Sequence, residues 1–407
     1  MKSYHLRGFI SALFSVLLLI SCGSGGGGGM TAGGGIGGTG IISQGAVSAF
    51  GSIFVNGTEF DTSNAAIIVN GEEIGVGDAF VLDNLDIGRV VTVEGTGNLD
   101  DISAVANRVI YNDNVAGPVE SLHDINPTTK EIVVLGQIVI VNVVTKFKGT
   151  DFDTIAQNDL VVVSGLVDDT DAIRATFLEK TGDFMSGNLV GVTGFIVNLD
   201  IGLKTFEIND LTVNYASIDS GDLPQGFADG LLVEVEGTLD AAGGEMLATS
   251  IELGDAIGEG NSDQIEVLGF VTDIGSAFEF TVGNQVVQFD ATTLFVDGTP
   301  ADILLGAKLE AEGRLVDGIL FADEIEFWGP DQIEVEGIVD EVVFFDGFPE
   351  FTFEGRDDQV VQTNAETEFE DVNKEEIEFG MKLEIKGVPV DIEHSVLIAD
   401  KVSLEED

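Results

Sequence analysis

From Glu266 to Ile274 the chain alternates apolar and polar residues about Gly269, the two-residue period of a half-buried strand with a bend or bulge at the glycine. Phe278 to Val282 continues the alternation, Gly283-Asn284 turns the chain, and Val286 to Asp290 runs back, which predicts an antiparallel meander. Thr299 suits a helix N-cap, Pro300 the first turn and Gly306 a left-handed C-cap, so one short helix follows. A fourth strand over Lys308 to Glu312 and a fifth over Ile319 to Phe327 complete the unit. Residues 331–407 repeat the plan, with Asn373 as N-cap, Glu376 closing a capping box and Gly380 as C-cap.

The plan recurs five times. Each copy carries a strand-like segment between two small residues: Gly88 to Gly95, Asn158 to Gly165, Gly230 to Gly237, Gly306 to Gly313 and Gly380 to Gly387. Asn158 is the exception that fits, since asparagine is the next-best residue for a positive φ. The closing glycines are 70, 72, 76 and 74 residues apart, and each is followed by Ala-x-x-(Val/Ile/Leu), beginning at Ala106, Ala175, Ala248, Ala322 and Ala399. The first glycine reads as a helix C-cap and the second as the end of strand four. Every repeated position is apolar or backbone-determining, so the repeat predicts a fold requirement with no repeated polar group.

Three strands, a short helix and two strands in about 70 residues is the order of an OB-like barrel. The expected class is therefore all-β: five tandem, small, partly open five-stranded OB-like barrels, each with a short helix between strands three and four. The units span 45–114, 115–185, 186–258, 259–330 and 331–407. Immunoglobulin sandwiches need about 100 residues, and propeller blades repeat at about 40 to 50.

The amino terminus reads differently. Lys2 and Arg7 precede an apolar run, Phe9 to Ile20, that is too short to span a bilayer. Leu19-Ile20-Ser21-Cys22 holds the only cysteine of the chain and resembles the lipobox of bacterial lipoprotein precursors. That resemblance implies a signal peptide over 1–21, a lipid on Cys22 and membrane attachment. Gly23, where inner-membrane retention would have aspartate, implies the outer membrane. Residues 22–44 then form the lipidated cysteine and a glycine-rich tether. Within the tether, Gly35 to Gly40 matches a dinucleotide fingerprint only because polyglycine matches by chance.

Gly51-Ser52-Ile53-Phe54-Val55-Asn56-Gly57, followed by Glu59-Phe60-Asp61, resembles the opening of a bacterial domain of unknown function found in tandem in lipoproteins. The resemblance is strongest over unit one and the leader before it, and the later units join it through periodicity alone. It brings no catalytic residues with it.

Charge narrows the partners. Loss of residues 1–21 leaves fifteen basic against 72 acidic residues, a net −57 that repels phosphate backbones and excludes nucleic acid. His123 and His394 lie in polar stretches near turns, no GxSxG elbow exists, and Cys22 is committed to the anchor, so no enzyme is expected. No cofactor is expected either, except that calcium takes carboxylate oxygens. Asp168, Asp169 and Asp171 form the most concentrated acidic loop, with further acidic turns at Asp83 to Asp86 and Asp357-Asp358. The expected role is a non-catalytic envelope array, structural or adhesive, with units stacked end to end as a rod. The alternative is a carbohydrate-binding or calcium-dependent module whose partner is an envelope polysaccharide or protein.

Overall fold

The computed structural model describes residues 40–50, 52–99, 103–240, 244–254, 257, 261–354, 359–391 and 395–404. Cys22, the leader, Asp357, Asp358 and His394 lie outside these residues.

Each unit is a ring of five strands. In unit four the first strand, Ser262–Ser276, pairs antiparallel with Glu279–Val282, which pairs with Gln285–Gln288. Gln285–Gln288 runs parallel to the fifth strand, Ile319–Trp328, and Lys308–Val316 joins the fifth strand back to the first. The order one-two-three-five-four therefore returns to its start. The same circuit closes in units one, two, three and five. The barrels are closed rather than partly open, because strand one is long and coiled enough to pair with strand four along one half and strand two along the other. Closure removes the two outer edges that an open five-stranded sheet would present.

The repeated glycine phrase forms the corner of each ring. Gly88, Asn158, Gly230, Gly306 and Gly380 have φ of 93°, 69°, 85°, 78° and 86°, the left-handed region. In every unit the N–H of this residue donates to a first-strand carbonyl, of Val47, Val119, Ile196, Val271 or Val339, at 2.8 to 2.9 Å. Its role is thus to steer the chain into strand four against strand one.

The closing glycines, Gly95, Gly165, Gly237, Gly313 and Gly387, do not end strand four. Each sits inside it at a β-bulge, paired with the alanine of Ala-x-x-(Val/Ile/Leu) on strand five. A Cβ there would lie 2.0 to 2.4 Å from a strand-five carbonyl oxygen in all five units, so the bulge admits only glycine. The two halves of the sequence repeat meet across this pair.

The expected helix is present in unit one as Asp78–Asn84 and survives in unit four as a single 3-10 turn, Pro300–Asp302, with Thr299 and Asp302 bonded at its start. In units two, three and five turns replace it. In unit five the Asn373 N–H and side chain still donate to Glu376. Ahead of this segment four units add a short strand parallel to strand five: Ala66–Val69, Lys146–Lys148, Leu294–Val296 and Glu368–Glu370. A segment this short gains more from strand five's unpaired backbone groups than from one helical turn.

Ahead of the added segment stands a repeated polar group that the sequence pattern conceals. The hydroxyls of Thr145, Ser217, Thr293 and Thr367 donate to the carbonyls of Ala175, Ala248, Ala322 and Ala399 at 2.7 to 2.8 Å. Asn142, Asp290 and Asn364, three residues earlier, donate their backbone N–H to the same hydroxyls of Thr145, Thr293 and Thr367 at 2.9 to 3.0 Å.

The units do not stack in chain order. Unit one's first strand, Gly40–Phe50, runs parallel to unit four's first strand, from Ile41 opposite Gln264 to Gln44 opposite Val267. Units two and three join through Ala116 and Gly191, and Arg89 of unit one reaches Glu179 of unit two at 2.8 Å. Unit one thus pairs with unit four, three units further along the chain, as well as touching its neighbour unit two. Unit one also starts at Gly40 rather than residue 45, because Ile41 packs in its own core while Ile42, on the opposite face, packs in the core of unit four. The tether therefore gives up residues 40–44 to the fold.

A candidate binding cleft among four barrels

Where units one, two, four and five converge, a cleft of about 580 Å³ opens. Unit two contributes Lys146 and Phe147 from its added strand, held beside Phe177 and Leu178 of strand five. Unit one contributes Val47, Phe50, Asn56 and the corner Asp86-Ile87-Gly88. Unit four supplies Lys308 and Trp328, cross-strand partners, and unit five supplies Gln332, Ile333, Glu334 and Gln359. The size and the mixture of apolar wall with a few polar groups are those of a small-ligand site.

Trp328 anchors one wall. It is buried, yet its Nε1–H has no hydrogen-bond acceptor. Lys308 Nζ lies 5.2 Å and Lys386 Nζ 4.5 Å from its ring centroid, so ammonium groups occupy the ring's π-system. Lys308 also donates to the Gln332 carbonyl at 2.6 Å. Burial pulls this lysine down to about 8, against the opposing pull of Asp331, Glu310 and Glu334. Glu334, with one buried oxygen that has no hydrogen-bond partner, is raised well above the usual carboxylate range by burial and then by Glu384. Trp328 and Gln332 also line a second cavity of about 390 Å³, with Glu326, Lys386, Asp400 and Lys401 on its walls.

On the opposite wall Lys148 Nζ pairs with Asp86 at 2.9 Å, and Asp86 also faces Arg89 at 3.4 Å. Arg89 is buried between the rings of Tyr111 and Phe177, at 4.6 and 4.4 Å, and bonds Glu179. This cation ties unit one to unit two directly behind the cleft.

The proposed calcium loop is built otherwise. Asp168 accepts from the Thr170 N–H and hydroxyl, from the Ala172 N–H and, at 2.6 Å, from Arg174 Nε. Burial works to raise its carboxyl, but those bonds win and lower it. Asp169 turns toward Gly306 of unit four and Asp171 has a φ of 61° at the turn. The loop is an Asx turn closed by arginine, and no group of three or more His, Cys, Asp or Glu side chains among the described residues could hold a metal ion. Asp168, Asp169 and Asp171 are not gathered into such a group. His123 is exposed on unit two's first strand, away from the cleft lining. The corner and bulge glycines shape the barrels, and only Gly88 borders the cleft.

The cleft residues were not singled out from sequence because they come from four units and mean nothing until those units converge. One signal was present: the chain's single tryptophan stands in a protein with only 17 basic residues, near the close pair Lys146 and Lys148 only after folding.

The family model for a domain of unknown function, DUF5666, matches residues 116–179, 191–252, 268–326 and 336–403, one segment in each barrel from unit two to unit five. The chain belongs to the DUF5666 family. The resemblance expected to be strongest in unit one thus lies in the later four units, whose membership stands on their own sequences. Unit one joins them through the closed ring, the left-handed Gly88 and the bulge at Gly95. Among solved structures the chain is similar to drosophila Unr CSD456, at 16% identity over 53% of this chain and 96% of that chain, with a TM-score of 0.13, a likeness that carries no argument. No curated protein matches the chain.

Proposed function

We propose that this DUF5666 protein is a non-catalytic, lipid-anchored protein of the cell envelope that holds a ligand in the cleft between its barrels. The observation that carries the reading is the cleft itself: about 580 Å³ walled by Phe50, Phe147 and Phe177 and by Trp328, whose buried N–H has no acceptor. Four different units build the lining, so the tandem arrangement itself makes the site. The barrels then act as a scaffold rather than as five equal binders. The lipobox-like segment ending at Cys22 supports the anchored state, and the net charge argues against nucleic acid as partner.

Native mass spectrometry of the full mature chain, purified from membranes, tests the cleft. Wild type is expected to carry a co-purifying molecule that Val144→Trp, which fills the cleft from its wall, loses. Equal occupancy in both proteins, or none in either, sinks the reading. The anchor has its own test: Cys22→Ala is expected to leave the membrane fraction, and retention there as a signal-cleaved protein assigns attachment to another feature.

A further inference from the structure

We infer that the cleft takes a small organic monoanion with an apolar body, its oxygen-bearing head met by the Lys308 ammonium. The inference rests on the cleft being the binding site and goes on to name the ligand's chemistry.

Charge gives the first reason. The chain carries 72 acidic residues against 17 basic ones, yet the cleft lining reverses the balance, with Lys146, Lys148 and Lys308 against Asp86 and Glu334. Of the two acids, Asp86 is engaged by Lys148 and Arg89, and Glu334 is held toward its neutral form by burial. A lining with one more lysine than acid, inside a protein this acidic, disfavours cations. The exterior charge, screened within about 8 Å at physiological salt, opposes anions in proportion to their own charge. A single negative charge is therefore tolerated where a polyanion is not.

Donor geometry gives the second. The Lys308 ammonium has three donors, of which the Gln332 carbonyl takes one, and the others call for acceptor oxygen. Burial leaves Lys308 short of compensation, which an anionic head supplies. Lys308 and Lys386 already lie over the Trp328 ring, which closes that face to a stacking sugar. The apolar body follows from Phe50, Phe147 and Phe177 on the cleft wall.

Trp328 is the only tryptophan, so its emission reports from the site in the full mature chain. The probes are 3-phenylpropanoate, its neutral amide, citrate and maltose, read by Trp328 fluorescence and by calorimetry. The carboxylate is expected to shift the emission saturably and to bind at least ten-fold more tightly than the amide, with citrate and maltose silent. Lys308→Met should abolish that preference; should it fail to fold by circular dichroism, Lys308→Gln followed by calorimetry should reduce it. Equal or tighter binding of the amide, citrate or maltose, or an unchanged preference in the folded variants, overturns the ligand class while leaving the cleft as a site. Silence of every probe in both readouts overturns the class and removes support from the cleft as well.

Discussion

Gly313 pairs with Ala322 across strands four and five of unit four, and a Cβ on that glycine would stand 2.0 Å from the carbonyl oxygen of Phe321. No rotamer relieves a clash with backbone; the bulge itself has to open. Gly313→Ala is therefore expected to cost about 2–3 kcal/mol, near the upper end for single substitutions. Gly182→Ala, where nothing lies within 4 Å of the added carbon and φ is not left-handed, should stay within about 0.5 kcal/mol. Urea denaturation midpoints of the two variants test the contrast, and similar losses at both positions would remove the bulge as the reason for the repeat.

The glycines were legible because a backbone constraint leaves one residue type at one spacing. Strand order was legible for the same reason: alternation about Gly269 and Gly283 marks strands by period alone. The helix was overestimated, since Thr299-Pro300 and Asn373-x-x-Glu376 encode caps without enough residues between them to propagate a helix. The hydroxyl of Thr293 was hidden because Ser217 and unit one's Ala65 break the pattern. The packing of unit one on unit four was illegible, as Ile42 looks like any apolar strand residue until its partner is known. The cleft inherits that illegibility, because Trp328 and Phe147 are 181 positions apart in the numbering and belong to different units.

Thr293 holds two backbone groups at once, accepting from the Asp290 N–H at 3.0 Å and donating to the Ala322 carbonyl at 2.8 Å. Thr293→Val keeps the shape and leaves both groups unpaired in a buried corner. The expected loss is about 1–3 kcal/mol, with Thr293→Ser recovering most of it. Thermal melting of the two variants checks this. Equal melting of the valine and serine variants would mean that the hydroxyl is dispensable.

Arg89 is the buried cation between units one and two, bonded to Glu179 at 2.8 Å and lying near Asp86 and Asp113 at 3.4 and 3.6 Å. Arg89→Met retains much of the packing between Tyr111 and Phe177 but takes the cation from three carboxylates, of which Asp86 and Glu179 still face Lys148. A loss of about 3 kcal/mol is expected, the lower end for breaking a buried pair. Arg89→Lys should recover only a small part, since a point charge cannot both stack on two rings and reach three acids. Denaturant unfolding of both variants measures it, and full recovery by lysine would show that charge alone matters.

Glu266 stands at the seam between units one and four, where its Oε2 accepts from Ser43 Oγ at 3.1 Å, and it shares a hydrogen bond with the carboxyl of Glu310. Two buried carboxyls in contact cannot both ionise cheaply, so they titrate as a pair. Burial, then the charge of Glu310, lifts Glu266 well above the usual range; burial lifts Glu310 as well. Glu312 and Glu334 face the first carboxyl and add to its rise, while Lys386 near the second works against it and Glu326 and Glu324 with it. Folded-state values above the unfolded ones mean that the stabilisation is complete at acid pH, below the unfolded values. It is lost as pH rises through the folded values. Wild type should therefore become easier to unfold as pH rises above the ordinary glutamate value of 4.5, read from urea midpoints at constant ionic strength. Glu266→Gln, which can still accept from Ser43 and donate to Glu310, should flatten that slope and gain about 1–3 kcal/mol over wild type at pH 9. The many exposed acids contribute the same background to both proteins, so the difference isolates the seam. A slope unchanged by the substitution would show that the Glu266–Glu310 pair does not set the pH response.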